Sequence, residues 1–199
     1  MAVNRGKKFE GVIEECFSAV SDVSVIRLHD QTMGYLGGQN PCDFLIYHKP
    51  YLYAVECKSV HGNTLSIYSK PKPDKRGILH GFYGNITDTQ WNGLLEMSQV
   101  KGVFAGVIVW FIDKDETIFL DINLLNRWRE AGHKSIHSYP EWLEYVEKKT
   151  DWCYLEGKKK RVFFDYNTEK FLHDMEGEEG WRWTSSSIIK VPYEKTRRQ

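Results

Sequence analysis

The chain has 199 residues, and its 27 basic and 27 acidic side chains cancel to a formal net charge of zero. With 41% hydrophobic and 14% aromatic residues it can bury a core, so global disorder is excluded, while neutrality disfavours coating nucleic acid through overall charge but permits local basic patches. The four cysteines form no Cys-x-x-Cys pair, which disfavours a zinc knuckle; the polar start Met1–Lys8 does not read as a signal peptide, and the longest apolar run, Val103–Ile112, is too short for a bilayer, so a reduced, soluble, cytoplasmic protein without membrane contact is expected.

In chain order, Phe9, Val12, Ile13, Cys16, Phe17 and Val20 recur at helical spacing and predict an amphipathic helix over Lys7–Ala19. The β-branched run Val23–Leu28 follows, then a loop marked by Gly34, Gly37, Gly38 and Asn40. Asp43–Ile46 and Tyr51–Cys57 read as a hairpin around a His48-Lys49-Pro50 turn, and Thr64–Ile67 as another short strand. Pro71–Gly84 reads as an exposed basic loop. Thr87–Lys101 is a helix with Thr87 or Asp88 as N-cap, Val103–Phe111 an apolar strand, Asp113–Glu116 a turn, Thr117–Leu120 a strand and Asn123–Glu130 a helix. Beyond Gly132 the pattern predicts a short helix over Pro140–Lys149, a hairpin of Trp152–Leu155 with Arg161–Asp165 around a Gly157–Lys160 turn, and an acidic loop over Asp174–Gly180. The order is α/β on a mixed sheet. Residues 1–132 form the expected core, with a basic loop inserted at 69–84, and residues 133–199 an extension packed on it.

The chemistry concentrates in Asp43, then twelve residues, then Glu56-Cys57-Lys58. Glu56 and Lys58, two apart on a strand, share a face, and the hairpin brings Asp43 beside them. Glu-x-Lys alone is common on exposed strand faces. Here apolar Ala54-Val55 precede it, implying a central strand, Asp43 lies at hairpin distance, and a helix with Glu10 and Glu14 comes before. Two close carboxylates repel and call for a cation; Mg²⁺ suits hard oxygen ligands with open positions, and a lysine beside it can act on an attacking water or on developing charge. Those parts fit phosphodiester hydrolysis.

These residues resemble the PD-(D/E)xK nucleases, and more narrowly the RecU-type Holliday junction resolvases of Gram-positive bacteria and their phages. The resemblance rests on Asn4-Arg5-Gly6 before Phe9-Glu10, on the spacing of Asp43, Glu56 and Lys58, on Asn85–Gln90, and on Met97–Phe111, and it covers about residues 4 to 130. It implies a restriction-endonuclease-like core, Mg²⁺ (with Mn²⁺ as substitute) bound by Asp43, Glu56 and Gln90, catalysis by Asp43, Glu56 and Lys58, and Glu10 lining the site. The chain departs from the family in having only His29–Pro41 where a long basic stalk is usual, Ser69–Gly84 as a different insertion, and Pro41 where a hydroxyl residue is usual.

The expected activity is resolution of four-way DNA junctions by a homodimer making paired nicks, with a recombinase as a further partner. DNA contacts are expected from Arg5, Lys70, Lys72, Lys75 and Arg76. The clusters Lys158–Arg161 and Lys195–Arg198 read individually as solvated loop and tail, and His61 and His80 as exposed loop residues. Two other classes stand beside this: a nuclease on duplex ends, flaps or restriction-type sites, and a non-enzyme, either an inactive DNA-binding recombination accessory or a protein-binding domain using Trp142, Trp152, Trp181 and Trp183.

Overall fold

The computed structural model describes residues 5–28, 40–67, 85–138, 141–161 and 163–177. Helix α1 (Arg5–Ser18) buries Phe9, Ile13 and Phe17, a stripe at every fourth residue. Each such side chain contributes about 1.5–3 kcal/mol by leaving water. Strands β1 (Val23–Arg27), β2 (Phe44–His48) and β3 (Tyr51–Val60) form an antiparallel meander. Strand β4 (Thr64–Ser66) and helix α2 (Asp88–Ser98) lie in the crossover to β5 (Val103–Phe111), which pairs parallel to β3. Strand β6 (Glu116–Asp121) returns antiparallel and feeds helix α3 (Ile122–Glu130).

After residue 132 the described chain adds one strand to this sheet and contributes the others to two small two-stranded sheets. Strand β7 (Ser135–His137) pairs with β4, and β8 (Trp152–Tyr154) with β6. Strands β9 (Gly157–Lys160) and β10 (Phe163–Tyr166) form a hairpin, followed by helix α4 (Thr168–Glu176). The main sheet runs β1-β2-β3-β5-β6-β8 among the described residues and is mixed through the parallel pairing of β3 with β5, so the α/β class expected from sequence is the one observed.

Each face of the sheet has its own core. Ala54, Val107, Val109 and Leu120 pack under α2 and α3, with Trp91, Leu94, Leu124 and Trp128. Tyr53, Val55, Ile108 and Phe119 pack under α1 and α4, with Phe9, Phe17, Phe171 and Leu172. Strand β3 lies between β2 and β5 and is buried on both sides over Tyr53–Cys57, as apolar Ala54-Val55 implied.

Several expectations change. The Gly157–Lys160 turn is strand β9, which pairs with β10, while Trp152–Tyr154 joins the main sheet instead. Residues 174–176 of the predicted acidic loop belong to α4, whose Phe171, Leu172 and Met175 make an apolar stripe. Short 3-10 turns over Glu141–Tyr145 and Lys149–Asp151 stand where Pro140–Lys149 was read as a helix, with residue 140 outside the described residues. Trp142 is buried and stacks edge-on with half-buried Trp152, so these two belong to the core; Trp181 and Trp183 lie outside the described residues. All four cysteines are unpaired. Among the described residues no helix is long and apolar enough to cross a membrane.

Candidate active site

Strand β3 is longer than its neighbour. β2 covers Tyr51–Val55 and stops at Phe44, whereas β5 accompanies β3 to Val60. From Glu56 onward β3 therefore has a ladder partner on one side only among the described strands. Asp43 stands at that break. Its N–H donates to the Val55 carbonyl at 3.0 Å, and its Oδ2 accepts the Cys57 N–H at 2.8 Å. The carboxylate thus continues the ladder by one step and is held beside Glu56.

Alternation on β3 sends Ala54 into the core under α2 and Glu56 and Lys58 along the same row toward the open end. Glu56 is 1% exposed. Its Oε1 accepts from Lys58 Nζ at 2.5 Å and from Gln90 Nε2 at 2.6 Å. Its Oε2 is buried, with no hydrogen-bond partner among the described residues. An orphaned buried oxygen costs about 1–3 kcal/mol and in native proteins marks a strain reservoir, an ion or a water. Burial first, then Asp43 and Glu10, push the Glu56 carboxyl up to about 7 against the pull of Lys58.

Gln90 arrives through a helix cap. Thr87 caps α2: its side chain accepts from the Gln90 N–H, and Gln90 Oε1 accepts from the Thr87 N–H at 3.0 Å. The amide NH₂ is thereby turned to Glu56. In this arrangement Gln90 orients Glu56, its own carbonyl oxygen being engaged in the cap. Helix α2 can lie this close because Gly93 faces Pro41: a Cβ on Gly93 would sit 2.4 Å from the Pro41 Cβ, two residues before Asp43.

Glu10 lines the other side. Burial and the charge of Asp43 raise its carboxyl above the ordinary value, opposed by Arg27, Lys58 and Lys7. Arg27, unremarked in the sequence reading, holds it: the guanidinium bonds Glu10 at 2.5 Å and Glu14 at 3.2 Å and lies over the Phe44 ring. The one charged side chain of a strand rich in valine and isoleucine was the available signal. Glu10, Asp43, Glu56, Lys58 and Gln90 are thus brought into one charged cluster by α1, β2, β3 and α2. Arg5 is exposed at the start of α1, whereas Lys70, Lys72, Lys75, Arg76 and His80 lie outside the described residues.

Among the described residues no three His, Cys, Asp or Glu side chains form a ready-made metal cage. Mg²⁺ does not need one, since it is commonly held by one or two carboxylates, waters and substrate phosphate oxygens. The Asp43–Glu56 pair with its orphaned Oε2 fits that requirement.

No family model and no curated protein matches the chain. Among solved structures it is similar to Hjc, a Holliday junction resolvase of the archaeal hyperthermophile Archaeoglobus fulgidus, at 14% identity and a TM-score of 0.42, over 65% of this chain and 85% of that one.

Proposed function

We propose that the protein is a divalent-metal-dependent DNA endonuclease that resolves four-way junctions by paired phosphodiester hydrolysis as a homodimer. The observation that carries the nuclease reading is the buried, half-satisfied Glu56 beside Asp43 and Lys58 at the open end of β3. An ionisable group pushed up to about 7 in such surroundings is a functional-site signature. The junction substrate is supported by the resemblance over residues 4 to 130.

Asp43 and Glu56 would hold Mg²⁺, or Mn²⁺ in its place, and the bound cation would acidify water and offset charge on the phosphate. Gln90 fixes the rotamer of Glu56 through its NH₂. Lys58 Nζ is within reach of the carboxylate row and serves either to orient or deprotonate the attacking water or to neutralise charge on the departing oxygen. Glu10, partly neutralised by Arg27, closes the side of the site nearest α1. DNA is gripped through phosphate contacts, Arg5 and the basic segment 70–76 among them.

The test is cleavage of labelled four-way junction, flap and linear duplex by wild type and Asp43→Asn, with and without Mg²⁺. Symmetric nicking of the junction, lost in the variant, is expected. Equal cutting of linear duplex would keep the nuclease and discard the resolvase. Intact binding with no cutting under Mg²⁺ or Mn²⁺ would overturn the enzyme reading in favour of a recombination accessory.

A further inference from the structure

Just past Lys58, the end of β3 carries a second polar cluster that the catalytic residues do not use. Asp113, in the turn after β5, is fixed at two points: Oδ2 accepts the Gly62 N–H at 2.6 Å and Oδ1 meets His61 Nδ1 at 3.2 Å. The Gly62 N–H first, then His61, holds the Asp113 carboxyl below its ordinary value, so it stays an anion and an acceptor. With Nδ1–H donated to Asp113, the His61 ring offers the Nε2 lone pair, and Arg5 Nη1 lies 2.7 Å from it. An exposed arginine is thereby restrained by a histidine that is itself restrained by a carboxylate. Only one of the five guanidinium N–H donors is used in this contact.

A surface arginine normally gives up rotamer freedom when it grips an anion, and a restrained one gives up less. The planar fork matches two oxygens of a phosphate. The position is also apt. His61 follows Lys58 by three residues, or about 10 Å of extended chain, and one strand of duplex DNA advances about 3.4 Å per nucleotide. We infer that Arg5 binds a phosphodiester of the substrate strand a few nucleotides from the scissile bond, with His61 and Asp113 as its positioning residues. The inference rests on the nuclease reading for the location of the scissile bond, but not for the grip itself. His61, which the sequence offers only as an exposed loop residue, becomes the connection between the first helix and the strand that carries Glu56 and Lys58.

The cluster's charges nearly cancel, so the grip depends on the geometry of the fork as well as on its charge. Binding of labelled four-way junction and labelled single strand would be followed by anisotropy across a salt series, with Ca²⁺ replacing Mg²⁺. Arg5→Ala should weaken binding about tenfold and lower the slope of log affinity against log salt by about one. Arg5→Lys should restore the slope but not the full affinity. His61→Ala should lose part of the affinity, and His61→Gln, whose amide can donate to Asp113 and accept from Arg5, should regain it. Unchanged affinity and slope in Arg5→Ala would overturn the inference. So would losses that merely track a fall in melting temperature, since the trio would then be a tether for α1. Wild type that cleaves while Arg5→Ala keeps its slope sinks the grip alone. Wild type that binds without ever cleaving, with the slope lost in Arg5→Ala, sinks the nuclease and supports the grip. Wild type that binds neither DNA overturns both.

Discussion

Glu56 sits where its charge is least welcome, at 1% exposure and with one oxygen unbonded among the described residues, and this has a consequence for stability. A carboxyl pushed up to about 7 in the folded protein keeps its proton where the unfolded chain has released it. The corresponding stability is complete below the ordinary value of 4.5 and is lost as pH rises through about 7. At about 1.4 kcal/mol per unit, the loss is on the order of 3 kcal/mol. Metal-free protein should therefore melt at lower temperature at about pH 8 than at about pH 5, and Glu56→Gln should flatten that dependence. Mg²⁺ added at the higher pH should raise the melting temperature of wild type more than that of the variant. Parallel pH profiles would place the penalty elsewhere. The types and spacing of Asp43, Glu56 and Lys58 were legible in the sequence because period two on a strand fixes which side chains share a face. The restraint of Glu10 by Arg27 was not, since seventeen residues separate the partners and only folding brings them together.

At the level of elements, the site depends on how closely α2 approaches the turn before β2. A glycine inside a helix costs about 1 kcal/mol relative to alanine, and Gly93 is tolerated because any Cβ there would meet Pro41 at 2.4 Å. Gly93→Ala should therefore fail to stabilise the helix. It should move either Gln90 or the Pro41–Asp43 segment, and lower cleavage by at least about tenfold with a smaller effect on melting. Full activity in this variant would show that helix and turn are not coupled. The hairpin register of β2 and β3 and the Thr87 cap are local properties, and both were readable. The β9–β10 hairpin was misread because Gly157–Lys160 is exposed and has no β-branched or apolar residue. Its strand character comes from pairing, with Tyr166 sealing it to Thr117 through their hydroxyls at 2.8 Å.

Across the molecule, the last described helix returns to the first part of the chain. Glu176 of α4 accepts from the buried Tyr53 hydroxyl at 2.6 Å and from His48 Nδ1 at 2.8 Å, and Thr168 donates to the Cys16 carbonyl. Phe171 stacks against Phe17, Tyr53 and Phe119, so α4 completes the core under α1. Glu176→Ala leaves the Tyr53 hydroxyl without its acceptor and should cost about 1–3 kcal/mol. Chemical denaturation should show a lower midpoint with an unchanged slope if α4 stays docked; an unchanged midpoint would mean that the apolar contacts alone hold the helix.

The sequence by itself determined what local periodicity encodes: the amphipathic first helix, the hairpin that sets Asp43 against Glu56 and Lys58, the buried fifth strand and the α/β class. Those features depend on residues within one or two turns or across one tight hairpin, where spacing and geometry are nearly the same thing. Tertiary structure alone decided that β8 and α4 join the main sheet and its second core. It also decided that Gln90 turns its amide hydrogens to Glu56, that Arg27 restrains Glu10, and that Arg5, His61 and Asp113 meet. Each of these needs partners seventeen or more residues apart, and their proximity is set by the packing of two cores on one sheet rather than by any pattern along the chain.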